Sequence, residues 1–399
     1  MTSPFRLASV FGATLLTTAL AGGLNAGHAQ PEPASSPPAN SPSSIYVTDL
    51  DADNKPDLLS ATAGSDEVAW HRQAEAGFAD RTVITDRANG VHSVIGADLD
   101  GDGDPDVISA SQFDNKIAWY ENADGYGRFS DQTIIANEAS DPQSLVAADF
   151  DGDGDEDLLY CSWDDGKVAW YENTDGTGSF SNVNVISNNA GGAEAVYAAD
   201  LDGDGDKDAL SASSSVGGTN KIAWYRNTAG GFASQNVISQ KMRGARVVLA
   251  ADLDGDGDQD VLSGSASDGK VAWYENTDGY GTFSKQTVIT TSARGVRSLS
   301  AADLDGDGDM DVLSASATKG TLAWYENTDG SGTFSGPNVL SSTASYASVF
   351  TADVDGDGDP DVLSGSEKNS QIIWFRNDLD GGTGFGAAQP VVRPVAEAK

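Results

Sequence analysis

The 399 residues carry 61 acidic and 23 basic side chains, for a formal net charge of −38 at pH 7. So acidic a chain disfavours nucleic acid and anionic membranes as partners. A single cysteine, Cys161, excludes a disulfide framework, and its alignment with small residues in sister repeats points to packing.

Residues 1–29 have the form of a secretory signal, with Arg6, an apolar run from Leu7 to Leu24 and small residues before Ala29. No later stretch approaches the roughly 20 apolar residues of a transmembrane helix, so membrane insertion is not expected. Residues 30–44, QPEPASSPPANSPSS, are Pro- and Ser-rich and are expected to be a disordered leader. The expectation is a secreted monomer, extracellular or periplasmic after signal cleavage.

From Ile45 to about residue 395 a unit of about fifty residues recurs seven times. Each copy has four short apolar segments, which in the second copy are SVIGA, DVISA, KIAWY and QTIIA. The third segment carries Trp70, Trp119, Trp170, Trp224, Trp273, Trp324 and Trp374. Before the fourth stand Phe78, Phe129, Phe180, Phe232, Phe283, Phe334 and Phe385. Four strands per unit, aromatic markers and no helical period predict an all-β fold, a seven-bladed β-propeller of four-stranded blades. The Trp and Phe residues are read as packing between blades.

Between the first and second segments lies an aspartate loop, DLDGDGDPD at Asp98–Asp106. It returns at Asp149, Asp200, Asp252, Asp303 and Asp353, and in worn form, DLDADNKPD, at Asp49. Carboxylates at alternate positions of a tight loop suit a hard cation with six to eight oxygen ligands. Calcium is therefore the expected cofactor. The side-chain ligands read from the spacing are Asp98, Asp100, Asp102 and Asp106; Asp149, Asp151, Asp153 and Asp157; and Asp200, Asp202, Asp204 and Asp208. The later copies give Asp252, Asp254, Asp256 and Asp260; Asp303, Asp305, Asp307 and Asp311; and Asp353, Asp355, Asp357 and Asp361. A helical calcium loop is excluded, because its twelfth position needs Glu and here holds Ser109, Tyr160 or Ser211. About six sites are expected; Lys55 makes the Asp49 loop weak or empty.

The D-x-D-x-D-G-x-x-D loop resembles the FG-GAP repeat of integrin α-chain heads. The whole unit, with AWYENTDG, is similar to secreted bacterial FG-GAP/VCBS-type repeat proteins. The name motif of that family, Phe-Gly and then Gly-Ala-Pro, is absent, so the integrin parallel concerns the loop alone. The resemblance implies recognition or adhesion toward an extracellular glycan or protein.

Comparing the copies separates scaffold from variation. Six residues before each full loop stand His92, Gln143, Glu194, Arg246, Arg297 and Ala347, on the face opposite the loops. The turn between second and third strands there also carries Phe113 and Trp163. Phe113, Trp163, Arg246, Arg297 and His92 are the candidate ligand-binding residues: arginine suits carboxylate or sulfate, and exposed aromatic rings stack on sugars. An alternative is a polysaccharide lyase, with His92 as the one histidine placed to face a cleft. No catalytic triad or paired-carboxylate motif stands apart from the loops, so no catalytic residue is assigned. A purely structural extracellular role is the third reading.

Overall fold

The computed structural model describes residues 42–74, 77–79, 81–214, 220–367, 370–379 and 384–391. The signal expected over 1–29 and residues 30–41 of the expected leader lie outside these described residues. Each unit forms one four-stranded antiparallel meander, paired in chain order, and there are seven such sheets. Blade two, for example, uses Val91–Ala97, Asp106–Ser111, Lys116–Tyr120 and Thr133–Ala136. Successive first strands touch one another, and Pro42–Thr48 of blade one touches Tyr346–Ala352 of blade seven. The ring is therefore closed, with first strands around the axis and fourth strands at the rim.

Burial follows from that order. Every residue of every second strand is buried, because both faces of that strand are covered by neighbouring blades. This is why DVISAS and its copies lack strict polar alternation. Fourth strands are more exposed, with Val185 and Val339 open to solvent on the rim.

The aromatic markers pack between blades. Trp70 meets Phe129 of the next blade edge-on at 6.1 Å between ring centroids, and Trp224 meets Phe283 at 5.9 Å. Such pairs contribute roughly 0.5–1.5 kcal/mol each beyond their buried area. Gly178 lies in the next blade's turn at φ +81°, and a Cβ there would sit 2.4 Å from the Trp119 ring. Only glycine serves both needs.

Among the described residues no strand is exchanged to close the ring. Side chains join the last blade to the first: Tyr46 against Phe350 at 5.7 Å and Phe78 against Trp374 at 6.3 Å. The Gln73 side-chain amide also donates to the Val354 carbonyl at 2.9 Å.

One boundary needs correction. Pro42, Ser43 and Ser44, assigned by composition to the leader, belong to the first strand. Proline is tolerated at a strand's first residue, and the Ser43 hydroxyl donates to Val91 O at 2.9 Å in the next blade. Cys161 is fully buried in a second strand, where burial pushes its thiol pKa up, consistent with a packing residue. His71 is also buried, its Nε2 2.8 Å from Ser60 Oγ, and belongs to the scaffold.

Candidate functional site

A meander places the first-to-second and third-to-fourth connections on one face of the wheel. On that face each aspartate loop is held by its own carboxylates. Asp98 accepts the Gly101 N–H at 2.8 Å and the Gly103 N–H at 3.0 Å. Gly101 and Gly103 have φ +72° and +94°, the left-handed conformations that let so short a loop turn inward. Asp106 is buried at the loop's base, where Oδ2 accepts Leu99 N–H at 3.2 Å and Oδ1 accepts Asn122 N–H at 2.7 Å. Burial raises its pKa to about 7 against these opposing hydrogen bonds.

Asn122 also ties two blades together. Its side-chain amide donates to Leu50 O of the preceding blade at 2.9 Å and to Pro105 O at 3.2 Å. Asn173, Asn227, Asn276, Asn327 and Asn377 repeat the bond to the blade before. In blade one Gln73 takes this place and bonds to the last blade. Sequence reasoning missed this asparagine, whose signal is its place three residues after the tryptophan in blades two to seven.

The loop carboxylates converge. Side-chain oxygens of Asp98, Asp100 and Asp106 lie within 4.8 Å of one another, as do those of Asp149, Asp151 and Asp157 and of Asp252, Asp254 and Asp260. Asp102 stands outside the trio, with Oδ1 accepting Asp104 N–H at 3.0 Å. Buried Asp100 Oδ1 has no hydrogen-bond partner. Burial, and then the carboxylates of Asp102, Glu121 and Asp98, raise the Asp100 pKa. Several aspartate clusters can thus hold a metal ion, and an all-oxygen donor set with surplus negative charge fits a hard divalent cation. In blades one, four and seven Arg72, Arg226 and Arg376 pair with a loop aspartate, respectively Asp51, Asp202 and Asp355.

The opposite face is built differently. Each first strand carries a β-bulge near its start, between Val91 and Ser93 in blade two and at the equivalent place in every other blade. The residues skipped by the ladder are Ser43, His92, Gln143, Glu194, Arg246, Arg297 and Ala347. All seven line one pocket of about 270 Å³ around the axis. Bulges re-aim side chains, and here they bring together residues about fifty apart in the chain. The six divergent positions read from the sequence converge here, and Ser43 completes the circle.

The two arginines are not free cations. Arg246 Nη1 lies 3.5 Å from Glu194 Oε1, and Arg297 pairs with Glu367. Burial and then Arg246 and Arg297 lower the His92 pKa to about 4, so its imidazole is neutral at pH 7. Burial raises the Glu194 pKa, with Arg246 opposing. Phe113 and Trp163 do not line the pocket. They occupy the turn after the second strand, one strand further from the axis than the bulge. Phe113 is 68 % exposed and rests on Gly90, while the Trp163 N–H donates to Asp141 O at 2.9 Å. Among the described residues no helix is long and apolar enough to cross a membrane.

A closed wheel of seven repeats with an aspartate loop in each defines a repeat β-propeller. Segments 49–109, 98–160, 149–211, 207–263, 252–314 and 308–364 match the FG-GAP-like repeat. They span more than half of the chain, which belongs to the FG-GAP-like repeat family. No curated protein matches it. Among solved structures it is similar to an Agrocybe aegerita lectin described as specifically recognising non-reducing terminal N-acetylglucosamine. The TM-score is 0.56 at 20% identity, covering 76% of this chain and 81% of the lectin. At that identity the likeness shows the fold.

Proposed function

We propose that this protein is an exported, calcium-stabilised propeller that recognises an extracellular glycan through the axial pocket formed by its seven bulged residues. The observation that carries the reading is the contrast at equivalent positions. The bulge presents Ser, His, Gln, Glu, Arg, Arg and Ala, while the strands around it keep one pattern. A repeat scaffold that varies at one convergent ring puts recognition there. The ring offers hydroxyl, amide, guanidinium, imidazole and carboxylate groups. That mixture of donors and acceptors suits the hydroxyls of a sugar better than a bare anion. The lectin of similar fold agrees with this ligand class. A lyase is less well supported, because both guanidinia are engaged by glutamates and His92 is a weak base.

Calcium is proposed for the loop face on the chemistry of its oxygen donors, and export on the N-terminal sequence. The test is a glycan array probed with purified protein in calcium and again in chelator. Arg297→Gln combined with Glu194→Gln should abolish the wild-type signal. Full binding by that variant would remove the axial pocket as the site.

A further inference from the structure

The third strand of each blade ends beside its own aspartate loop. The residue two places after the tryptophan meets that loop with one of two opposite charges. It is glutamate in blades two, three, five and six (Glu121, Glu172, Glu275 and Glu326) and arginine in blades one, four and seven (Arg72, Arg226 and Arg376).

The three arginines take one geometry. Arg226 sets Nε on Asp202 and Nη2 3.0 Å from Asp204 Oδ2. Arg376 sets Nε on Asp355 and Nη2 3.1 Å from Asp357 Oδ2. Arg72 sets Nε on Asp51, with Nη2 3.5 Å from Asp53 Oδ2. Each guanidinium bridges the aspartates at the third and fifth positions of its loop. Asp202 and Asp51 also belong to the converging trios of their blades, so the guanidinium already touches a carboxylate that an ion would need.

We infer that the wheel contains two kinds of loop: four that take a divalent cation, and three in which an arginine of the same blade is the cation and keeps the metal out. The inference rests on the calcium reading for the four glutamate-bearing loops and lowers the expected content from about six ions to about four. A divalent ion entering an arginine-bearing loop would face a positive charge a few ångströms away, where repulsion is strong, or would have to displace it. In the glutamate-bearing loops the neighbour works the other way. Glu121 adds a sixth acidic side chain to the five aspartates of Asp98–Asp106 and raises the demand for an external cation. In blade one Lys55 contributes a second positive charge.

The experiment is calcium stoichiometry of the full purified protein, by equilibrium dialysis with elemental analysis, joined to melting in chelator. Wild type should bind about four ions per chain. Arg226→Glu with Arg376→Glu should raise this to about six, and Glu121→Arg with Glu275→Arg should lower it to about two. In chelator Arg226→Gln should melt earlier than wild type, and Glu121→Gln no earlier. Six or seven ions on wild type would leave the calcium reading standing and overturn this inference alone. No bound ion on wild type would overturn both. Should a variant fail to fold, the wild-type count still decides.

Discussion

The two faces of the wheel follow opposite rules. On the loop face, aspartates, glycines and the inter-blade asparagine recur almost unchanged, and in blade two Asp98, Gly101, Gly103, Asp106 and Asn122 are bonded within their own blade or to the preceding one. On the bulge face the backbone is equally regular, yet the re-aimed side chains span acid, base, amide and hydroxyl. Regular backbone with uniform side chains maintains a structure; regular backbone with divergent side chains points at something outside the molecule.

The largest expected effect belongs to the loop face. Removing divalent ions should lower the melting temperature by on the order of 10 °C, read by calorimetry with and without chelator. The metal-free protein should also depend on pH in a definite sense. The base aspartates are raised by burial to about 7 at Asp106, Asp157, Asp260 and Asp311, and to about 6 at Asp57, Asp208 and Asp361. Between the unfolded carboxylate range near 4 and these values, the folded state binds more protons than the unfolded one. Metal-free stability should therefore fall as pH rises from about 4 to about 7, and bound calcium should offset the loss above that window. Stability in chelator that climbs across it would contradict the buried-carboxylate account.

Next comes the bulge face. Arg297→Gln and Glu194→Gln should each weaken glycan binding about tenfold or more, roughly 1.4 kcal/mol. Melting should move by only a few degrees, because the strand ladder does not use these side chains. A large drop in melting with unchanged binding would reverse the roles assigned to the faces.

Smaller again is the loss of one inter-blade bond. Asn276→Ala should cost about 1–3 kcal/mol in urea unfolding by orphaning Leu201 O, with glycan specificity unchanged. Gln73→Ala should cost a similar amount at the junction of first and last blades. The smallest effect is expected from Phe113→Ala and Trp163→Ala, with binding changed less than about twofold. A tenfold loss from either would extend the site outward along the face.

The propeller itself was legible because recurrence is written in the chain: seven tryptophans, seven phenylalanines and the returning aspartates set blade number, strand order and loop position. What escaped depended on depth and on contacts across blades. Ser43 looked like leader because Pro and Ser dominate its surroundings, and only the pairing of Pro42 with Thr62 and of Ser44 with Ala61 shows it inside a strand. Phe113 and Trp163 looked accessible, and in the sequence nothing states their distance from the axis. The exchange of Glu for Arg two residues after the tryptophan was visible in the letters. Its meaning needed the fold, which brings Arg226 beside aspartates more than twenty residues earlier.

The junction between first and last blades carries one more consequence. Each sheet is made from a single contiguous stretch, so a duplicated or deleted unit adds or removes one whole spoke and leaves no strand without its sheet. Such a gene can lengthen or shorten by recombination while every intermediate still encodes complete spokes. The diameter of the wheel, and with it the width of the mouth at the hub, is then open to selection in single steps.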